Sequence, residues 1–129
     1  MRILVLLLCF SLVACLNAQE VPEAPKPKTR RLFFYVGAGA LAGAATYDWK
    51  TTSELIHRGG WEKNSSWAIG RRPSDAQIGA FGSAWTSAEV AGFRLTEQSR
   101  RWWIRWAGRA YVAWAVQEHI RLARRNTRL

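Results

Sequence analysis

From Leu32 to Tyr47 the chain passes through sixteen positions without a charge, bounded by Arg30-Arg31 before and by Asp48-Trp49-Lys50-Thr51-Thr52 after. An uncharged run of that length, with arginines on one side and aromatic and charged residues on the other, has the layout of a membrane helix with a polar interfacial extension. The helix is expected from about Arg30 to His57, where Gly59-Gly60 offers a left-handed stop. The expected fold class is all-α: a small membrane helical bundle of about three helices after an N-terminal signal or anchor segment.

Composition leaves that reading open, since a hydrophobic content of 49% with a mean hydropathy of -0.16 lies between soluble and membrane classes. The eight tryptophans weigh towards a bilayer, because Trp49, Trp61, Trp67, Trp102, Trp103 and Trp106 gather near the ends of the apolar segments. A formal charge of +10, most of it from Arg, calls for an anionic partner. Export argues against nucleic acid, so the expected partners are membrane lipids with anionic headgroups, together with other membrane helices or further copies of the chain.

Met1-Arg2 followed by Ile3 to Val13 is a short n-region and an eleven-residue apolar stretch, a bacterial-type export signal. Leu12-Val13-Ala14-Cys15 resembles a lipoprotein box, in which Cys15 would be acylated; cleavage before Gln19 is the alternative. Residues 19–29 carry Pro22, Pro25 and Pro27 among Glu and Lys and form a tether. The location expected is the bacterial cell membrane, the inner one, with a periplasmic lipoprotein as the alternative. Residues 30–125 make the helical domain, with helices at about 30–57, 75–95 and 99–125, and 126–129 a tail. Assigning Lys and Arg to the two sides for three crossings gives ten inside against seven outside, a weak positive-inside bias.

Within the first helix Gly39 and Gly43 form a Gly-x-x-x-Gly pair, spaced for close approach of another helix. Asp48, Thr51, Thr52 and Leu55 share one face by their i, i+3, i+4, i+7 spacing. The second helix should be capped by Ser74, with Gln77 completing a capping box. Along it Gly79, Ser83, Ser87 and Ala91 run beside Ala80, Ala84, Ala88 and Gly92, two small-residue rows suited to packing on neighbours. Glu89 sits inside this helix. The third helix, capped by Thr96 or Ser99, carries an aromatic row, Trp103, Trp106, Ala110 and Trp114, next to a cationic row, Arg101, Arg105 and Arg109. A charge in hydrocarbon costs roughly 3 kcal/mol, so Asp48 and Glu89 are expected to pair with Arg105 and Arg109 if all three helices cross.

Tyr47-Asp48, Thr51-Thr52, Leu55, Gly59-Gly60, Glu62 and Asn64 together resemble the helix-plus-loop signature of a group of uncharacterised small multi-helix bacterial membrane proteins. That signature has an Asp and a Thr on a first helix and then a Gly-x-Glu-x-Asn-Pro loop; this chain has Ser65 in place of the Pro. The resemblance covers about a quarter of the chain and implies a fold and a membrane location, with no activity to carry over.

No catalytic motif is found. A Gly-x-Ser-x-Gly turn, a Ser/His/Asp set and a phosphate-cradling loop are all missing, and His57 and His119 fall outside any metal-ligand spacing. Neither a cofactor nor a metal is expected. Three roles fit: a structural or interaction protein of the membrane; a lipid-anchored or periplasmic module that binds anionic surfaces through Arg101-Trp102-Trp103-Ile104-Arg105-Trp106; and a small enzyme or transport accessory using Asp48, Glu62 and Glu89. The residues that carry these readings form one candidate polar cluster: Asp48, Thr51, Thr52, Glu62, Asn64, Glu89, Arg105 and Arg109.

Overall fold

The structure, a computed structural model, describes residues 28–61 and 70–129. Cys15, the tether up to residue 27, Glu62 and Asn64 lie outside the described residues. Within them the chain is all-helical, with three helices and no strand: α1 (Lys28–His57), α2 (Asp75–Gln98) and α3 (Trp102–Asn126).

Local chemistry sets the helix ends. Gly59 takes φ of 87° and Gly59 and Gly60 donate to the carbonyls of Ile56 and Leu55 at 2.9 and 3.0 Å, the paired bonds of a Schellman stop. Ser74 caps α2 as expected: its Oγ accepts from the Gln77 amide, and Gln77 Oε1 accepts from the Ser74 amide at 2.9 Å. The start of α3 departs from expectation. Thr96 remains in the last turn of α2, its hydroxyl on the Phe93 carbonyl at 2.8 Å, and Ser99 ends α2. Arg101 then occupies the N-cap position of α3 without a side-chain cap.

Three rows at heptad-like spacing turn inward. They are Leu41, Ala44, Ala45, Asp48, Thr51, Thr52 and Leu55 on α1; Ile78, Gly82, Thr86, Glu89, Phe93 and Glu97 on α2; Ile104, Gly108, Val112, Ala115, Leu122 and Asn126 on α3. α1 and α3 run parallel and α2 antiparallel to both. Phe34 and Gly37 therefore meet Phe93 at one end of the bundle, while Ser53 and His57 meet Asp75 at the other. Leu41, Phe93, Val112 and Ala115 form the apolar centre, with Phe34, Val90, Tyr111 and Val116 packed around it.

The rows of small residues do not do the packing expected of them. Gly39 and Gly43 are exposed, and a methyl group added at either would meet nothing within 4 Å. On α2 the residues Ala80, Ser83, Ala84, Ser87, Ala88 and Ala91 are exposed as well. Hydrophobic gain scales with area removed from water, so the bundle buries the rows bearing Ile, Leu and Phe, with Ala44, Ala45 and Ala115 among them, and leaves these particular small-residue faces outside. Close approach occurs at other glycines. Trp49 lies against Gly82, and Thr96 against Gly108, where an added Cβ would stand 2.1 Å from Thr96 Oγ1. No helix among the described residues is long and apolar enough to cross a membrane. The uncharged run of α1 is there, but eight of its sixteen residues are Gly or Ala, which add little hydropathy.

Gly108→Ala should therefore lower stability by about 1–3 kcal/mol through overpacking against Thr96. Gly39→Ala and Gly43→Ala should leave it unchanged or raise it by roughly 0.5–1 kcal/mol through helix propensity. Denaturant unfolding of the three variants checks this, and a loss at Gly39 equal to that at Gly108 would contradict the outward placement of that face.

Candidate functional site

The inward rows carry polar residues at matching levels, and there the three helices meet chemically. Asp48 on α1 is 8% exposed and Glu89 on α2 is 3% exposed, with His119 of α3 between them. The imidazole Nδ1 donates to Asp48 Oδ2 at 2.9 Å. Its Nε2 lies 3.9 Å from Glu89 Oε2, near enough for charge attraction and too far for a hydrogen bond. Glu89 Oε1 accepts from the Tyr111 hydroxyl at 2.8 Å, while Oε2 and the neighbouring Thr86 hydroxyl are buried without a hydrogen bond among the described residues. Burial disfavours the charged imidazole, but the hydrogen bond to Asp48 and the charges of Asp48 and Glu89 together outweigh it, and the His119 pKa rises to about 9. At neutral pH the centre thus holds an imidazolium between Asp48 and Glu89.

A second polar layer lies one turn further along α1. Asn126 Nδ2 donates to Thr52 Oγ1 at 2.9 Å, Thr51 Oγ1 donates to the Asp48 carbonyl at 2.9 Å, and Arg58 reaches the Asn126 carbonyl at 3.1 Å. These bonds fix the register of α1 against α3. Among the described residues no group of three His, Cys, Asp or Glu is arranged to hold a metal ion.

The expected pairing of acids with arginines is corrected. Arg109 holds Glu97 bidentately, with Nε to Oε1 at 2.7 Å and Nη2 to Oε2 at 3.0 Å, and its guanidinium lies 4.0 Å over the Phe33 ring. That hydrogen bond raises the Arg109 pKa despite partial burial. Arg105 donates to the carbonyls of Ser99 and Arg100, both at 2.9 Å. The antiparallel run of α2 explains the exchange: Glu97 comes level with Arg109, whereas Glu89 is eight residues, about 12 Å, further along and level with His119. Of the proposed cluster, then, Asp48, Thr51, Thr52 and Glu89 come together at the middle and far end of the bundle, and Arg105 and Arg109 stand apart at the other. His119, Tyr111, Glu97 and Asn126 were not singled out from sequence. The available signal was the heptad row of α3, on which His119 and Asn126 follow Ala115 at four- and three-residue steps.

No protein-family model, curated protein or solved structure matches the chain.

At the end where α1 and α3 begin, the surface changes character. Leu32, Phe33, Tyr35, Val36, Trp102, Trp103 and Trp106 are exposed there, Tyr35 by 69% and Trp102 by 66%. Around them stand Arg30, Arg31, Arg94, Arg100 and Arg101. Neither α1 nor α3 has an acid in its first turn, so two helix N-termini add their positive ends to the arginines. Among the described residues Glu97, whose two oxygens Arg109 already occupies, is the acid at this end.

The interior network makes a prediction with a definite sign. The folded-state pKa of His119 lies above the ordinary 6.5, so its stabilising contribution is complete below about pH 6.5 and is lost as pH rises through about 9. Wild type should lose on the order of 2 kcal/mol across that window, a figure discounted for partial exposure. His119→Gln should show no such loss; denaturant melts at a series of pH values read the difference. In double-mutant cycles Asp48→Asn with His119→Gln should couple by about 0.5–3 kcal/mol, and Glu89→Gln with Arg109→Gln should be additive.

Proposed function

We propose that the protein is a membrane-associated helical module that docks on anionic bilayer surfaces through the end where α1 and α3 begin. The observation that carries this reading is the interleaving of exposed aromatic and aliphatic side chains with arginines on that one end, Tyr35, Val36, Trp102, Trp103 and Trp106 beside Arg30, Arg31, Arg100 and Arg101. Indole and phenol rings favour the headgroup boundary, where an apolar body and a polar tip are both accommodated. Arginines beside them neutralise lipid phosphates, each worth about 1 kcal/mol near a negatively charged surface. The polar interior then has a structural role: it holds three helices in one register so that the aromatic and cationic groups of α1 and α3 are presented together.

The N-terminal segment supports the same location. An export leader with Cys15 in a lipoprotein-like box, followed by a Pro-containing tether, would deliver the bundle to the periplasmic side of a bacterial membrane and hold it nearby. The resemblance carried by Asp48, Thr51, Thr52 and Gly59-Gly60 also implies a membrane setting.

The full chain should co-sediment with vesicles containing phosphatidylglycerol and far less with phosphatidylcholine vesicles, with a blue shift of tryptophan emission on binding. Raising salt should weaken binding, because the headgroup attraction is screened. Trp102→Ala combined with Trp106→Ala should reduce binding at least tenfold without changing the helical content read by circular dichroism. Equal binding to both lipids would overturn the reading. Resistance to alkaline extraction after removal of residues 1 to 29 would replace surface docking with an inserted bundle.

A further inference from the structure

One cleft at this end is built unlike the rest of the basic surface. Arg30 and Arg31 of α1 and Arg94 of α2 line it together with Phe34, Tyr35, Glu97 and Gln98, around a volume of about 400 Å³. Among the described residues the one acid in its lining is Glu97, and both oxygens of Glu97 are already bound by Arg109. None of the three arginines makes an ion pair with a described residue. Arg105 stands near enough to Arg30 for the two charges to repel, and its pKa is lowered first by burial and next by the charge of Arg30. By contrast, the arginine-lined groove at the far end is lined by α3 and the residues after it alone, without an aromatic ring, so no second helix faces Arg124, Arg125 and Arg128 across it, and Arg121 is held bidentately by Glu118 at 2.7 and 2.8 Å.

Three cations brought to one cleft from two helices repel one another unless an anion joins them. A guanidinium presents a planar fork of donors that matches phosphate oxygens, and three such forks suit a group with several terminal oxygens and more than one negative charge. We propose that this cleft binds a dianionic phosphate monoester, with Arg30, Arg31 and Arg94 on its terminal oxygens and Phe34 and Tyr35 against the apolar or glycerol part that bears it. The proposal rests on the membrane-docking reading for the lipid as source; a soluble phosphomonoester would satisfy the same groups. A phosphodiester headgroup, with one charge and two free oxygens, engages fewer of the forks.

The experiment uses the full chain and two vesicle preparations brought to equal zeta potential, one doped with phosphatidic acid and one with phosphatidylglycerol, with inorganic phosphate titrated separately by calorimetry. Wild type should prefer phosphatidic acid by about tenfold, the effect of one additional charge-assisted hydrogen bond. Arg94→Gln should abolish the preference while retaining wild-type affinity for phosphatidylglycerol to within the loss of one charge. Arg124→Gln with Arg125→Gln, at the other end of the bundle, should keep the preference. Thermal melts establish that each variant folds. Equal affinity for the two lipids, or a preference that survives in Arg94→Gln, overturns the cleft assignment and leaves surface docking standing. Binding of inorganic phosphate that depends on Arg94, with no vesicle binding, upholds the cleft and overturns the membrane reading. Absence of all binding overturns both.

Discussion

The imidazolium of His119 is the group on which the bundle turns, because it touches α1 through Asp48 and faces α2 through Glu89 while belonging to α3. An isolated carboxylate inside the bundle is costly; two carboxylates without the cation between them would also repel. With the proton in place the three helices share one charge balance. Sliding any helix by a turn would move its charged group about 5.4 Å and leave an unpaired ion behind. Apolar contacts among Leu41, Phe93, Val112 and Ala115 favour compaction but tolerate neighbouring registers; the ionic layer selects one.

That selection connects interior and surface. Fixing the level of α3 against α1 at His119 and again at Asn126 also fixes it at the other end, where Phe33 sits under the Arg109 guanidinium and Arg109 holds Glu97. Trp102, Trp103 and Trp106 are thereby carried to the same end as Leu32, Tyr35 and Val36. On an unregistered pair of helices these aromatic groups would be spread along the bundle and meet a bilayer one at a time. Brought to one end, they share a single interface with the arginines.

What the sequence disclosed follows from the range of the interactions involved. The Gly59-Gly60 stop and the Ser74-Gln77 capping box depend on residues within one turn, and both are found in the structure. The common face of Asp48, Thr51 and Thr52 also follows from helical spacing alone, and all three are buried. Which acid meets which base is another matter, since it depends on how far one helix is displaced along another. Counting acids and arginines could not show that Glu97 is level with Arg109 and that Glu89 is level with His119. A histidine read as isolated in the chain proved central because its partners lie 71 and 30 positions away.

The small-residue rows show a different limit. A Gly-x-x-x-Gly pattern states that a backbone can be approached closely, and it does not name the helix that approaches. Among the described residues the close approaches between helices are at Gly37, Gly82 and Gly108, single glycines opposite the larger side chains Phe93, Trp49 and Thr96. They arise because a bulky group on one helix needs a gap on the next, so the requirement is set by the partner residue. Gly39 and Gly43 on α1 have no such counterpart among the described residues, and Ala80, Ser83, Ala84, Ser87, Ala88 and Ala91 on α2 are exposed. Side chains that small contribute little area in water, and burying them would not have repaid the loss of Leu41 or Phe93 from the interior. The bundle's handling of its interior is thus governed by area and charge, and its outward faces keep the small residues that these two terms pass over.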